Sequence, residues 1–440
     1  MPEAQTQPLV LTPADLVNPE SDLNKNILKG GPLLLTATLT PVANDRFQPA
    51  GFPEIGHVIY KAPRSEGRVE NVCIVDSPAS MANHLESVCM RGEHDYELVE
   101  ELAGMPYIRC VTGEPTDRKL PEDRREVVLT SLTEGHRIAS TYFLAGQLIN
   151  GNGELATKRV KKKQKDKTTG KETETEEDQP QLFQDILIEE FGIALPNSKK
   201  AHPPAAKWWN VFQTIFRYDP NALVHGVLFP QWQIKIARFL TAHHEAFGAA
   251  RVDRSGVKFD RLGKTTSGQP IFPVDDATAS EIRATFILDL ALLRSYGRTE
   301  KKDGSEKVLG LSEQQKEFLA ALALWKIDRL LRTPFRYRSG CHLELEGLKL
   351  GKPDLKPDGA MARDARRNVK IEVNIAEAIK NSAFRTKDDG KPDDGPIVTD
   401  VYWPHDELYR EAEKDKTAGS AAEDSTDDNG SAEEDEGEDA

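Results

Sequence analysis

The sequence has few cysteines and no apolar run of membrane-spanning length. Its 440 residues include four cysteines, Cys73, Cys89, Cys110 and Cys341, and none of them forms a C-x-x-C pair. This spacing argues against a zinc ribbon or a disulfide framework and suits reduced, buried thiols. No run approaches the roughly 20 apolar residues that cross a bilayer, and the first residues lack the pattern of a signal peptide. We therefore expect a cytoplasmic protein with no membrane partner.

Common motifs of metal, nucleotide and hydrolase chemistry are also missing. His243, His244 and Glu245 are consecutive and would not share one helical face, so they form a poor metal site. Gly263-Lys264-Thr265 resembles the end of a phosphate-binding loop, but Lys258 stands where that motif requires a glycine. No G-x-S-x-G occurs. We therefore expect no metal and no cofactor, and no catalytic residue of these classes.

The negative charge of the chain is unevenly distributed. Lysine and arginine number 58 against 72 aspartate and glutamate, a formal net charge of −14. Residues 421–440 hold ten acids and no base, whereas residues 199–380 hold 31 bases and 21 acids. The acidic total, which argues against nucleic-acid binding, therefore hides a basic middle that permits it.

Strand-like and helix-like segments alternate along the chain. Capping residues predict three helices, after Ser77-Pro78, from a Thr278/Glu281 box, and from a Ser312/Gln315 box that leads to Thr333-Pro334. In the first helix we expect Ser80, Asn83 and Glu86 on the exposed face. Apolar, β-prone runs predict strands at 33–39, 70–77, 341–348, 368–375 and 396–403. This order favours an α+β fold, with one sheet and helices packed on one side.

Two stretches have too little apolar content to fold by burial. Residues 154–178 run from a basic block into an acidic block, and the chain after about Asp406 is strongly acidic. We expect a disordered charged loop within 154–180 and a disordered acidic tail at 404–440. The remaining boundaries are an N-terminal extension at 1–28 and a main domain at 29–403.

The segment 41–60 contains a candidate RNA-binding loop. Turn-forming residues surround Arg46, Phe47 and Gln48, and such a loop can hold a phosphate with arginine and stack a base on phenylalanine. The alternative is a Gly/Pro-rich connection with Phe47 and Phe52 in the core, which composition alone favours.

The stretch 329–340 contains four arginines and no acid: Arg329, Arg332, Arg336 and Arg338. If Phe335 to Arg338 is extended, its two arginines share one face and its two aromatic residues share the other. The basic face can neutralise phosphates. Alternatively, these arginines pair with Glu344 and Glu346 across a hairpin.

Residues 251–273 are rich in Arg, Lys, Gly and Thr, including Lys258, Arg261 and Lys264. This composition favours a flexible basic hairpin that projects from the body, with an ordinary solvated loop as the alternative. His225-Gly226, after the turn at Asp219-Pro220, either contacts a ligand or is a structural histidine.

Four segments together resemble a known family: NDRFQPAGFPEIGHVIY, ENVCIVDSPASMANHLESVC, DPNALVHGVLFPQ and LRTPFRYRSGCHLELEG. In this order, between about residues 30 and 403, they are similar to the backbone RAMP subunit of type I-G (formerly I-U) CRISPR surveillance complexes, known as Cascade. The resemblance implies a ferredoxin-like (RRM-type) core with large insertions. It also implies several copies in a helical filament along one guide RNA, with other Cascade subunits, presenting the guide to target DNA.

The resemblance also implies roles for particular residues. It places Arg46, Phe47 and Gln48 in guide contact, with Ser80 and Asn83 on the first helix, and makes 251–273 the candidate for the hairpin called the thumb. The charged loop and the acidic tail are departures from the family. Two other functions stay open: a RAMP endoribonuclease that processes the guide precursor, and an acidic interaction protein whose tail mimics nucleic acid.

Overall fold

A computed structural model describes residues 7–43, 45–52, 56–64, 67–165, 172–193, 203–252, 276–302, 305–351, 367–384 and 397–408. The chain divides into two compact units. The first comprises residues 1–108, 129–140 and 185–399, and the second comprises 109–128, 141–184 and 400–440.

The described helices and strands mix along the chain, as the sequence predicts for an α+β protein. The helices are α1 Pro13–Val17, α2 Pro78–Ser87, α3 Thr141–Leu144, α4 Phe183–Glu190, α5 Trp208–Tyr218, α6 Pro220–His225, α7 Leu290–Ser295, α8 Glu313–Arg332 and α9 Ile375–Asn381. The strands are β1 Leu9–Leu11, β2 Leu33–Pro41, β3 Gly51–Phe52, β4 Gly56–His57, β5 Ile59–Pro63, β6 Val69–Asp76, β7 Met90–Gly92, β8 Asp95–Leu98, β9 Tyr107–Thr112, β10 Glu126–Thr130, β11 Gln147–Leu148, β12 Thr157–Lys165, β13 Glu172–Pro180, β14 Val227–Phe229, β15 Ile234–Ile236, β16 Leu240–Phe247, β17 Ala250–Val252, β18 Asp276–Thr278, β19 Glu281–Leu288, β20 Gly297–Lys302, β21 Ser305–Gly310, β22 Phe335–Arg338, β23 Cys341–Leu350, β24 Val369–Ile371 and β25 Val398–Tyr402.

The first unit is built on a seven-stranded sheet in the order β22-β23-β2-β19-β16-β6-β5. Every neighbouring pair in this sheet is antiparallel. The predicted strand at 33–39 is confirmed as β2, which lies near the middle of the sheet with Leu33, Leu35 and Ala37 fully buried. Burial of alternate residues is what holds such a strand in register.

The prediction of a helix from the Thr278/Glu281 box is wrong. Residues 281–288 form β19, in which Ile282, Ala284, Phe286 and Leu288 are buried and the residues between them are half-buried. Apolar residues at 282 and 286 fit a helical spacing of four as well as a strand spacing of two. The β-branched and aromatic content and the pairing to β2 and β16 favour the strand.

Two predicted helices are confirmed at their N-termini. In α8 the Ser312 side chain accepts from the Gln315 backbone N–H, the Gln315 side chain accepts from the Ser312 backbone N–H, and Thr333 ends the helix. In α2 Ser77 is the N-cap and Pro78 is the first helical residue. The prediction that Glu86 is exposed is wrong, since its carboxylate is buried in a network described below.

The C-terminal part returns to strands, with one difference from the prediction. The segments 341–348 and 396–403 contain β23 and β25. The predicted strand at 368–375 shrinks to β24, because Asn374 caps α9 through the Glu377 backbone N–H. Residues 1–28, predicted as an extension, contribute α1 and β1, and β1 pairs parallel to β24.

The second unit contains a four-stranded sheet in the order β10-β9-β25-β11. Val111, Leu120, Ile149 and Tyr402 form a small core beside it. Asp400 is buried, and its carboxylate accepts from Arg109 at 2.7 and 2.9 Å and from Arg125 at 2.6 Å. Two guanidinium groups therefore compensate one buried carboxylate.

The disorder predicted for 154–180 is contradicted within the described residues. Residues 157–165 and 172–180 form the antiparallel hairpin of β12 and β13. The register sets Lys161 opposite Glu176 and Arg159 opposite Asp178, with 3.9 Å between the charged groups of the second pair. Opposite charges directly across a ladder stabilise a hairpin that has little apolar surface to bury. The predicted tail, from 409 onward, lies outside the described residues.

Candidate nucleic-acid interface

An open groove of about 720 Å³ in the first unit brings several predicted residues together. Its walls come from α2 and the chain that follows, from residues 132–134, and from β22. The lining residues are Asn83, His84, Glu86, Ser87, Met90, Gly92, Glu93, Leu132, Thr133, Glu134, Phe335, Arg336, Tyr337, Arg338 and Ser339. Asn83, Arg336 and Arg338, predicted from two separate motifs, thus line one surface.

One wall of the groove is organised at the junction of β6 and α2. Asp76 is the last residue of β6, and Ser77 caps the helix that follows. Ser80 and His84 are one helical turn apart, and the Ser80 hydroxyl lies 3.3 Å from His84 Nε2. The same His84 nitrogen lies 2.9 Å from Asp76 Oδ2. The strand-to-helix turn therefore fixes His84 against a buried carboxylate.

Arg338 completes this cluster from β22. Its Nη2 atom lies 2.7 Å from Asp76 Oδ2, and its Nη1 donates to the carbonyl of Val75 at 2.8 Å. Burial of Asp76 acts to raise its pKa, but hydrogen bonds from His84 and Ser80 and the positive charge of Arg338 outweigh burial, so the pKa is lowered. Arg338 is therefore an internal partner of Asp76 and is only partly available to a ligand.

Arg336 lies two residues earlier and has a different environment. A register shift in the pairing of β22 with β23 falls between Arg336 and Arg338. Such an irregularity re-aims a side chain. The Arg336 side chain is 56% exposed and lies 3.3 Å from the exposed carboxylate of Glu93. An exposed ion pair of this kind contributes little, so Arg336 can exchange Glu93 for a phosphate. Among the described residues, the acidic partner of Arg336 is Glu93 and that of Arg338 is Asp76. The alternative prediction, pairing with Glu344 and Glu346, is therefore wrong.

The aromatic residues of β22 face the histidines. Phe335 and Tyr337 have ring centroids 5.5 and 5.3 Å from His84, both edge-on. Tyr337 is buried and also lies 4.6 Å from the ring of His244. Burial lowers the pKa of His244 to about 3, so this histidine is neutral at physiological pH. The groove floor is therefore apolar and aromatic beneath a polar rim.

The predicted loop around Arg46 divides into one exposed and two packed residues. Phe47 is 1% exposed and exchanges backbone hydrogen bonds of 3.0 and 2.8 Å with Ala277. The prediction that Phe47 stacks an RNA base is therefore wrong, because its ring belongs to the core. Gln48 is half-buried and its backbone N–H donates to the Gly340 carbonyl. Arg46 is exposed, with 4.0 Å between its guanidinium and Asp276.

The other predicted contacts lie elsewhere. Arg332 ends α8 beside Asp328, with which it forms an exposed ion pair. Lys258, Arg261 and Lys264 lie outside the described residues. The base of their segment is described, since β17 and β18 pair antiparallel and join residues 250–252 to 276–278. Beyond Val252 the predicted hairpin itself lies outside the described residues, which resume at 276.

The cluster at His84 differs from a nucleophilic triad. In a Ser-His-Asp triad the serine and the aspartate contact different nitrogens of the imidazole. Here Ser80 and Asp76 both contact Nε2 of His84. The ionised Asp76 carboxylate can only accept, so Nε2 of His84 donates to it, and Nδ1 of a neutral ring is left as an acceptor. This arrangement does not activate Ser80 through a relay.

Sequence reasoning missed Asp76 and His84. A usable signal was present: Asp76 ends an apolar strand, Ser77-Pro78 starts a helix, and Ser80 and His84 are four residues apart on that helix. Side chains four residues apart share a helical face, and the first turn of the helix lies next to the strand end. The contribution of Arg338 depends on the sheet order and has no local signal.

None of the described helices has the length and apolar character needed to cross a membrane. In the same part of the chain, no group of three or more His, Cys, Asp or Glu side chains is arranged to hold a metal ion.

Comparison with known protein families gives a match to a CRISPR-associated family. No curated protein matches the sequence. Residues 33–251 match the family model described as CRISPR-associated protein GSU0053. The matched range begins at β2 and includes β6, α2 and β16, so it contains the strand-to-helix junction of the groove. Over this range the chain is similar to the CRISPR-associated proteins of that family, which supports a CRISPR-associated protein with a role in CRISPR defence.

Proposed function

We propose that the protein is the guide-RNA-binding backbone RAMP subunit of a type I-G Cascade. The observation that carries the proposal is the convergence of Asn83 and Arg336 on one open groove, in a chain with a CRISPR-associated family match. The groove offers an exposed guanidinium, an exposed amide and a histidine over an aromatic floor. These groups can hold a phosphate and the edge of a nucleotide without reading its sequence.

The strand order of the first unit supports a ferredoxin-like core. Four neighbouring strands have the spatial order β23-β2-β19-β16. In chain order they are β2, β16, β19 and β23, with α2 between the first two and α8 between the last two. This is a β-α-β-β-α-β succession in which the connections carry large insertions.

The proposed partners follow from the same role. A backbone subunit binds guide RNA, contacts copies of itself head to tail along the guide, and presents the guide for pairing with target DNA, together with other Cascade subunits. Purified protein with RNA would then form large particles that dissociate on RNase treatment. Particles whose size is unchanged by RNase would contradict an RNA-templated filament.

The RNA contacts are tested with the double variant Arg46→Ala/Arg336→Ala. Its affinity should fall to a similar degree for guide RNAs of unrelated spacer sequence, because phosphates are common to all. The plot of log affinity against log salt concentration should become shallower, its slope decreasing in magnitude by about 0.7 for each lost phosphate contact with single-stranded RNA. Fluorescence anisotropy over a salt series measures both quantities.

A matched control removes the same charge elsewhere. Arg298 and Lys349 are exposed cations outside the groove, and the double variant Arg298→Ala/Lys349→Ala should keep the wild-type salt slope. A folded Arg46→Ala/Arg336→Ala variant with unchanged affinity and slope would remove both residues from the contact list.

The pairing of His84 with Asp76 favours one second candidate, an endoribonuclease that processes the guide precursor. A half-buried histidine held by a carboxylate is a suitable general acid or base, and His84 lines the groove in which we propose that RNA binds. Incubation of the purified protein with precursor RNA distinguishes the two functions. Site-specific cleavage by the wild type that is lost in His84→Gln would replace the scaffold proposal. A precursor that the wild type binds but leaves intact, and that His84→Gln binds equally well, supports the scaffold.

A further inference from the structure

A second cavity in the first unit, of about 420 Å³, has a strongly basic lining. It lies where residues 135–137 approach the β14–β15 hairpin. The basic groups of its lining are His136, Arg137, His225, Lys235 and Arg238. No carboxylate occurs among its lining residues, which all belong to the described part of the chain.

Two of the cations are available to a ligand. Lys235 is the exposed middle residue of β15, and the described residues give its ammonium no partner. Arg238 is exposed and makes one long hydrogen bond, 3.5 Å, to the Pro78 carbonyl. The others are engaged: Arg137 is bound bidentately by Glu86, and His136 is paired with Glu134 at 2.7 Å. Lys235 and Arg238 therefore supply the uncompensated charge of the cavity.

His225 adds a neutral donor that lacks an acceptor. Its Nε2 atom lies 3.1 Å from Nζ of Lys326. Because an ammonium group can only donate, Nε2 accepts this hydrogen bond and the imidazole proton is on Nδ1. Burial and the nearby positive charges of Lys326, Arg137 and Arg238 lower the pKa of His225 well below its usual value, which keeps the ring neutral. Nδ1 is buried and has no hydrogen-bond partner. His225 therefore contributes a neutral wall to the cavity and adds no positive charge to it.

The backbone holds His225 close to the two cations. Gly226 has φ +80°, and a Cβ atom at that position would lie 2.9 Å from the Ile236 carbonyl and 3.0 Å from Cγ of Arg238. Only glycine fits both the conformation and the space. The close approach brings the end of α6 against β15, so that the histidine and the cations line the same cavity.

We infer that this cavity is a phosphate-binding site, with Lys235 and Arg238 as its charged ligands and the wall at His225 as its neutral side. The ligand class is a phosphate group, which can belong to an RNA strand or to a small phosphate compound. The cavity shares no lining residue with the groove at Arg336, and phosphate binding there does not depend on the proposed role as a guide-binding subunit.

The test compares Lys235→Ala/Arg238→Ala with the wild type in two assays. One is titration with inorganic phosphate and pyrophosphate by calorimetry, and the other is anisotropy with a mixed-sequence RNA, with and without competing pyrophosphate. Each lost charge-assisted contact weakens binding by about tenfold. Lys235→Arg should retain affinity, and Lys349→Ala, another exposed strand lysine, should behave as the wild type.

The two assays distinguish the sources of the phosphate. Loss of RNA affinity, with pyrophosphate competing against RNA in the wild type, identifies an RNA phosphate. Loss of pyrophosphate binding with unchanged RNA affinity identifies a small phosphate compound. Unchanged binding of both ligands in the folded double variant overturns the inference, and so does an equal loss in Lys349→Ala.

Discussion

A buried network of charged and polar side chains joins α2, residues 135–139, α6 and α8 in the first unit. Glu86 and Arg137 are both buried and form two hydrogen bonds of 2.7 and 2.8 Å. Asn221 donates to Glu86 at 2.5 Å and accepts from Lys326, which is fully buried. Burying charges is costly unless each is paired, so the network should be sensitive to the removal of a single charge.

Glu86→Gln should reduce the free energy of unfolding by about 3–5 kcal/mol, because Arg137 is left buried without its compensating charge. Denaturant titration measures the change. Glu93→Gln is the matched control, since it removes the exposed partner of Arg336 and should cost less than about 1 kcal/mol. Equal effects of the two substitutions would show that the network does not behave as a buried ion pair.

Asp219, beside this network, predicts a particular dependence of stability on pH. Burial, with repulsion from Glu86, raises the pKa of its carboxyl to about 7. The folded state therefore holds a proton that the unfolded state releases near pH 4. The stability contributed by this proton is complete below pH 4 and is lost as the pH rises to about 7.

Asp219→Asn should remove this dependence while its amide oxygen still accepts the hydrogen bond from the Ile138 backbone N–H. The free energy of unfolding of the variant, relative to the wild type, should increase between pH 4 and 7 by at most about 1.4 kcal/mol per pH unit. The difference cancels other titrating groups, including His225 and His244, whose lowered pKa values act in the opposite direction. A difference that is constant with pH would place the carboxyl pKa near its ordinary value.

Among the helices and strands, the sequence predicts best the features that neighbouring residues in the chain determine. The caps at Ser77 and Ser312 are formed within one helical turn, so the sequence shows them directly. The prediction of a helix at 281–288 is wrong because the apolar spacing of this segment fits both a helix and a strand. Only pairing with β2 and β16 selects the strand. Cross-strand charge pairing in β12 and β13 likewise depends on register, which composition does not contain.

That register can be tested with paired cysteines in the second unit. Lys161 and Glu176 are opposite each other in the β12–β13 hairpin. Directly opposed residues have Cβ atoms about 4.5–5.5 Å apart, close to the separation in a disulfide. Lys161→Cys/Glu176→Cys should therefore form a disulfide on mild oxidation, detected as a mobility shift that a reductant reverses.

The control shifts one cysteine by a single residue. In Lys161→Cys/Glu177→Cys the second side chain points to the other face of the hairpin, so oxidation should be slow. The four native cysteines are buried, and burial raises the pKa of each thiol to about 11 or 12, so they should not interfere. Equal oxidation of both pairs would indicate a hairpin without a fixed register.

At the scale of the whole molecule, the sequence predicts which residues line the groove better than it predicts what those residues contact. The family resemblance predicts Asn83 and the arginine-rich stretch predicts Arg336, and the two residues lie together although 253 positions separate them in the chain. The same two arguments predict Phe47 and Arg338, yet Phe47 packs in the core and Arg338 holds Asp76. Burial and sheet order decide between these outcomes, and both depend on contacts between residues distant in sequence.

The distribution of charge leads to a prediction about the acidic C-terminus. Deletion of residues 421–440 removes ten acids and no base, so the formal net charge rises from −14 to −4. A chain of like charge repels RNA over a distance of about 10 Å at 0.1 M salt and about 3 Å at 1 M salt. The truncated protein should therefore bind mixed-sequence RNA several-fold more tightly than the full chain at 0.05 M salt, with the difference vanishing near 1 M.

Replacement of the same ten acids by Asn and Gln at constant length separates charge from length. If repulsion is the cause, this neutral variant should bind RNA as the truncated protein does, in anisotropy titrations over the salt series. Weaker RNA binding after truncation would contradict this prediction, since a tail that only repels RNA cannot strengthen binding. The acidic interaction protein makes a different prediction: a tail that mimics nucleic acid should lower the affinity for RNA when it is added as a separate peptide, because it would compete for the basic residues of 199–380.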